Sequence, residues 1–247
     1  EVWVNSTLFA VTPGGTVTSS ATSAAYSTYV SGGTVTAMAF QATDEWPSCG
    51  TFFENRLMCG GSDREPTTVY GSVMGMYDSF FSSGRADDEG VKYTLASGIV
   101  DRIEWLVGHD YCMIGTSGGV WRLGGTTTDE PLTSTNVSAK RQQAIGCSEV
   151  GGILVNDAVM FVQRGGTTVR QLIYSFEDDK FISPDLTIMA DHIMIGATAA
   201  LSGAGQITYQ SEPVSIIWTT RNDGQLPGMI WERSHKVHGW FRIVTSG

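Results

Sequence analysis

Apolar residues come in short runs, many alternating with polar ones, and most are closed by glycine, proline, asparagine or aspartate. This is the pattern of strands joined by turns. A first strand is predicted over Val2–Val11. The Ser/Thr/Gly/Ala segment Thr12–Thr36 alternates weakly, as a meander of exposed strands or a mobile loop would, and Ala37–Phe40 returns to strand character. Trp46–Phe80 reads as a strand, a wide loop and a second strand over Thr67–Val73. Glu54, Asn55 and Arg56 are set there among Phe52, Phe53 and Leu57, and polar groups in such surroundings need partners if buried. Ser82–Gly90, with Asp87, Asp88 and Glu89, has the composition of a solvated loop.

Further strands are predicted over Tyr93–Ile99, Ile103–Val107, Tyr111–Ile114 and Val120–Leu123, then an irregular connection over Leu132–Gln143. Two hairpins stand out. Ala158–Val162 and Val169–Phe176 flank the turn Arg164-Gly165-Gly166. Val214–Thr220 and Leu226–Glu232 flank Asn222-Asp223-Gly224, and Val237–Val244 adds a third strand to the latter. Between the hairpins, Ser183-Pro184-Asp185 resembles a helix entry, with Leu186, Met189, Ala190 and Ile193 at helical spacing. The turn glycines Gly61, Gly118, Gly165 and Gly224 lie 57, 47 and 59 residues apart, a loose repeat of the kind β-propeller blades show. An all-β chain follows: a β-propeller of several antiparallel blades, with a β-sandwich as the alternative.

Composition agrees with strands. Charged residues are only 16%, glycines number 30, and aromatic and β-branched residues run the whole length, which disfavours disorder. The net charge of −10 argues against a protein whose main task is gripping the nucleic-acid backbone. Cys49, Cys59, Cys112 and Cys147 form no C-x-x-C pair. Free, buried thiols in a reducing compartment are therefore expected, although Cys49 and Cys59 could face one another across a hairpin. Asn5-Ser6-Thr7 and Asn136-Val137-Ser138 match the glycosylation pattern, which chance produces often. No signal peptide and no apolar run of membrane-spanning length occur, and the abrupt ends at Glu1 and Gly247 lead us to expect a fragment of a longer polypeptide.

Candidate chemistry is sparse. His235 and His238 fall on opposite faces of a strand, so a shared metal is not expected there, and His109 and His192 read as turn or surface residues. Asp185, beside Asp191 and His192, reads as a helix N-terminal residue rather than an acid-base group. Nucleophile elbows, phosphate loops and His-Glu-x-x-His are not found, and Thr116–Trp121 lacks the aspartate of a sialidase turn. Neither enzyme activity nor any cofactor or metal is expected. Arg56 and Arg170 should bridge strands or blades through carboxylate or carbonyl contacts.

The succession FFENRLMCGG, VYGSVMGMYDSF, IEWLVGHDYCMIGTSGGVWRL, NDAVMFVQRGGTTVRQLIYSFEDDKFISPDLTIMADHI and YQSEPVSIIWTTRNDGQLPGMIWERSHKVHGWFRIVTSG resembles the tail nozzle proteins of short-tailed bacteriophages, also called tail tubular or packaged-DNA stabilisation proteins. The resemblance spans Trp46–Gly247. Asn55, Arg56, Arg170, Asp185, Trp218, Asp223 and Gly224 match framework positions of that family, whereas Met229-Ile230-Trp231 departs from it and residues 1–45 show no match. The resemblance implies propeller blades over 46–247, behind a Ser/Thr/Gly-rich region over 1–45. It also implies a homo-oligomeric ring, typically a hexamer, at the distal end of a virion tail, made in the bacterial host cytoplasm. Such a ring would contact a tail adaptor and other tail proteins and surround genomic DNA without reading its sequence. Channel-lining candidates are Asp87, Asp88, Glu89, Glu177, Asp178 and Asp179. A carbohydrate- or receptor-binding propeller is the alternative, and a polysaccharide-degrading enzyme a more distant one.

Overall fold

A computed structural model of the chain describes residues 3–4, 7–11, 17–19, 40, 43–80, 82, 86–98, 101–127, 130–177, 180–232 and 237–243. Its strands form a small three-stranded sheet and four antiparallel four-stranded sheets. The small sheet is β1 (Trp3–Val4), β2 (Thr7–Val11) and β3 (Val17–Ser19). The first four-stranded sheet is β4 (Cys49–Phe53), β5 (Arg56–Gly60), β6 (Thr68–Gly71) and β7 (Val91–Thr94). The second is β8 (Ile103–Gly108), β9 (Cys112–Thr116), β10 (Val120–Gly124) and β11 (Ser138–Gln143). The third is β12 (Ile153–Val155), β13 (Ala158–Val162), β14 (Val169–Ser175) and β15 (Lys180–Ile182). The fourth is β16 (Ala204–Gln210), β17 (Ile216–Arg221), β18 (Leu226–Glu232) and β19 (Val237–Ile243). In each of the four, sequence neighbours are sheet neighbours, so every sheet is a simple meander.

The chain divides into two compact units, residues 1–100 with 123–139, and residues 101–122 with 140–247. In the first, Met58 and Val69 are fully buried, and Phe40 meets the rings of Tyr70 and Phe80 edge-on at 5.1 and 5.5 Å. The second unit is a stack. Strand alternation sends Val159 and Phe161 to one face of the third sheet, where they pack with Trp105 and Val107 of the second sheet. It sends Ala158 and Met160 to the other face, against Ile217, Met229 and Trp231 of the fourth. Such a doubly covered strand is apolar at every position, and Ala158–Val162 is buried throughout. Each large side chain so buried contributes roughly 1.5–3 kcal/mol.

Four expectations need correction. The single strand read ahead of Gly60-Gly61 is a hairpin, β4 and β5 turning at Glu54-Asn55, and the strand after the loop runs over Thr68–Gly71 rather than Thr67–Val73. The helix over Asp185–Ile193 is absent, and the described residues contain no α-helix. Leu186 N–H bonds to Val169 O and Asp185 bridges Arg170, which ties the segment to the third sheet, leaving one 3-10 turn at Asp191–Met194. Met189, assigned to the helix's apolar face, is 92% exposed. Leu132–Gln143 is not wholly irregular, because its end forms β11, a polar edge strand without apolar alternation. The strand expected over Tyr93–Ile99 runs over Val91–Thr94 instead. Most of Thr12–Phe40 lies outside the described residues, as does Val244.

Candidate functional site

In the β4–β5 hairpin, Glu54 and Asn55 occupy the turn with φ of +45° and +56°, the left-handed pair that a two-residue hairpin requires. Arg56 follows, and its side chain is fully buried. A buried guanidinium needs acceptors for its forked donors. Nη1 donates to Ser72 O at 2.7 Å and to Glu89 O at 2.6 Å, with a longer bond to Asp88 O at 3.3 Å, and Nη2 donates to Asp87 O at 2.7 Å. One side chain thus holds the main-chain oxygens of all three acidic residues in the predicted loop. Burial lowers the guanidinium pKa, and the nearby Glu54 and Asp88 charges push it back up.

Further bonds fix the same loop. Met74 N–H donates to Asp88 O, Ser134 Oγ to Ala86 O, and Thr135 Oγ1 to Asp87 Oδ1 at 2.7 Å. Asp87 and Asp88 remain exposed and Glu89 is half-buried. The structure therefore brings Asp87, Asp88 and Glu89 together around Arg56. Glu177 belongs to the other unit, exposed beside Phe176, which is itself 89% exposed; Asp178 and Asp179 lie outside the described residues.

The arginine arrangement recurs. Arg170 donates from Nε to Gln163 Oε1 at 2.7 Å and from Nη1 to Ser183 O at 2.8 Å, a bridging role in accord with the sequence. Asp185 caps a turn rather than a helix, with Oδ1 accepting from Thr187 N–H and Oγ1–H, both at 2.7 Å. Trp218 donates from Nε1 to Gln210 Oε1 at 2.9 Å. Arg221, which sequence reasoning missed, is 5% exposed and donates from Nη1 to Ile193 O and Ile195 O, each at 2.9 Å. Its Nε bonds Asp223 Oδ1 at 2.8 Å and its Nη2 bonds Asp223 Oδ2. An arginine two residues ahead of the turn aspartate, in Arg221-Asn222-Asp223-Gly224, was the signal available. Gly224 closes that turn at φ +84°.

The Arg221 guanidinium is the main cause holding the Asp223 carboxyl at about 2, below its usual value. A folded pKa below the unfolded one gives stability that is present above about pH 4 and is lost as pH falls through about 2. Thermal melts between pH 6 and 2 should therefore show an acid-side decline that is shallower in Asp223→Asn; equal slopes would contradict this pair's role.

Among the described residues no group of three His, Cys, Asp or Glu is placed to hold a metal, and no helix is long and apolar enough to cross a membrane. His109 sits 3.3 Å from Asp110, His192 lies in the 3-10 turn, and His235 is outside the described residues. All four cysteines are free. Cys49 pairs in register with Gly60 rather than with Cys59. Burial pushes the Cys59 thiol up to about 11 and raises that of Cys147 further. In a native thiol titration at pH 8 half-buried Cys49 should react first, with Cys59, Cys112 and Cys147 reacting only on unfolding; rapid modification of all four would refute this.

A cleft of about 420 Å³ lies against the fourth sheet, bounded by Glu149 and Gly151 ahead of β12 and by Gln206, Thr208, Trp218 and Leu226. No protein-family model matches the chain, and a search of curated proteins finds no match.

Proposed function

We propose that the chain is a structural subunit of the tail nozzle of a short-tailed bacteriophage, acting without catalysis or cofactor. The observation that carries this is the run of four-stranded meanders in chain order, with the second, third and fourth stacked face to face, as propeller blades are built. It joins the motif succession across Trp46–Gly247. In this function the sheets belong to a closed propeller. Copies of the chain form a ring, hexameric by resemblance, on the tail adaptor at the distal end of the virion, and the ring surrounds genomic DNA, retaining it until ejection.

The acidic loop suits a bore. Arg56 binds the backbone of Asp87–Glu89, so the loop keeps its shape while the Asp87 and Asp88 side chains stay at the surface. An acidic wall repels phosphates and lets DNA slide, whereas a basic wall would hold many at once. Asp87, Asp88 and Glu89, with Glu177, Asp178 and Asp179, are the residues assigned to that wall. Particle images in which the labelled chain lies at the tail tip around the channel axis are expected; a label elsewhere, or a single off-axis copy, would refute the assignment. Phage carrying Asp88→Lys should eject DNA more slowly, most visibly at low salt, and an unchanged rate would remove Asp88 from the bore.

A second function, carbohydrate binding, is favoured by one observation, the cleft beside Trp218, whose indole and neighbouring Gln206 and Thr208 could engage a sugar face and its hydroxyls. Glycan-array binding by the isolated chain, abolished by Trp218→Ala, would support it.

A further inference from the structure

In the first unit, the loop Val73–Ser79 carries apolar side chains into solvent on a backbone that is firmly held. Val73 N–H donates to Ser79 O at 2.7 Å, Met76 N–H to Val73 O at 3.0 Å and Ser79 N–H to Met76 O at 3.2 Å, so the loop closes on itself. Gly75 N–H donates to Asn55 O at 2.8 Å and Met74 N–H to Asp88 O at 2.9 Å, which seats the loop between the β4–β5 turn and the acidic loop. Gly75 takes φ of +73° to do so. On this base Tyr77 meets Phe52 of β4 edge-on, with ring centroids 5.2 Å apart. Phe52 is nevertheless 66% and Met76 55% exposed, and Met74 and Tyr77 are exposed with them. One large apolar side chain in solvent is ordinary, whereas several gathered on an ordered surface mark a place of contact. Aromatic residues and methionine are also the types enriched where proteins meet, and an unbranched methionine adapts to what lies on it.

We propose that Phe52, Met74, Met76 and Tyr77 form a docking surface for a protein segment in which apolar residues alternate with lysine or arginine. Charge selects this occupant. Glu54 lies in the turn after β4, Asp78 follows Tyr77 in the loop, and Asp87 and Asp88 stand on the adjoining loop; all four are exposed. The segments that build the surface, residues 49–58, 72–80 and 86–90, contain one cation, Arg56, and it is fully buried. The surface is thus apolar in an acidic surround, and its complement is an apolar segment with basic flanks. A nucleic acid or an anionic lipid surface would be repelled by the same carboxylates. The inference goes beyond the nozzle function and does not depend on it, because every contact it uses lies within the first unit.

Fluorescence anisotropy of two labelled peptides with the full chain tests this, one alternating leucine with lysine and the other leucine with glutamate. The lysine peptide should bind at least about tenfold more tightly, and the preference should shrink as salt rises. Phe52→Ser combined with Met76→Ser should weaken that binding by about tenfold or more. Ile188→Ser, at an apolar residue 73% exposed on the other unit, should leave it unchanged. Equal binding of the two peptides, no binding of either at about 1 mM, or an equal loss in Ile188→Ser would overturn the proposal. A benzoylphenylalanine at position 52 keeps the apolar character of Phe52 and decides the matter if the serine pair fails to fold. It should capture the lysine peptide, and the same probe at position 188 should not; capture of no peptide, or only of a second copy of the chain, would also overturn the proposal. A chain absent from the tail would defeat the nozzle function and leave this surface standing, whereas failure of the lysine peptide to bind would defeat this surface alone.

Discussion

Replacing Arg56 with methionine should lower the unfolding free energy by about 3 kcal/mol, the upper end of the cost of leaving buried hydrogen-bond acceptors without their donor. The variant keeps the apolar stem and removes the fork, so the carbonyls of Ser72, Asp87 and Glu89 each lose a charge-assisted donor. Ser72 is fully buried, so the loss of this bond leaves a desolvated oxygen. Arg56→Lys should fall between the two, because an ammonium retains the charge but cannot span Nη1 and Nη2 partners together. Urea titration would show a lower midpoint with the slope nearly unchanged. Amide exchange in residues 86–91 should accelerate more than in the fourth sheet, since the acidic loop is what Arg56 holds. An unfolding free energy within about 0.5 kcal/mol of wild type would mean that the loop is carried by the Met74, Ser134 and Thr135 bonds instead.

How far the structure was legible depended on whether a signal was local. The Ala158–Ser175 and Ile216–Glu232 hairpins were visible because apolar runs met glycine turns at a spacing that leaves few pairings open. Even Arg56 was legible in kind, as a polar residue among aromatic ones that had to find acceptors. Which acceptors it found was not, because they lie 16 to 33 residues away across a loop of unexceptional composition. The same limit hid β11, whose Ser-Ala-Lys-Arg-Gln-Gln sequence has no apolar face and is a strand only because β10 offers it an edge. The false helix failed for the opposite reason. Leu186, Met189 and Ile193 do recur at helical spacing, but Asp185 bonding Thr187 and Leu186 bonding Val169 settle the backbone before that spacing can bury a face. Arg221 went unnoticed because the turn it serves was already explained by Gly224.

Gly115→Ala should be among the most damaging small substitutions in the molecule, at about 3 kcal/mol. Gly115 stands opposite Trp105 in the β8–β9 pair, and the indole lies across it. A Cβ there would be 2.0 Å from Trp105 Cε2 and 2.4 Å from Nε1. The indole has little room to retreat, for it is 2% exposed, meets Phe161 at 5.7 Å between centroids, and has Gly152 against its other edge, where a Cβ would come within 2.8 Å. The added methyl must therefore displace the side chain that joins the second sheet to the third, which couples a local backbone position to the packing of the stack. Trp105→Leu alone should cost about 3 kcal/mol through the cavity it leaves. Combined, the two should cost at least about 1 kcal/mol less than their sum, because the smaller side chain makes room for the methyl. Thermal or urea unfolding of the four proteins measures this cycle, and strict additivity would show that the glycine is required for its backbone rather than for the indole lying on it.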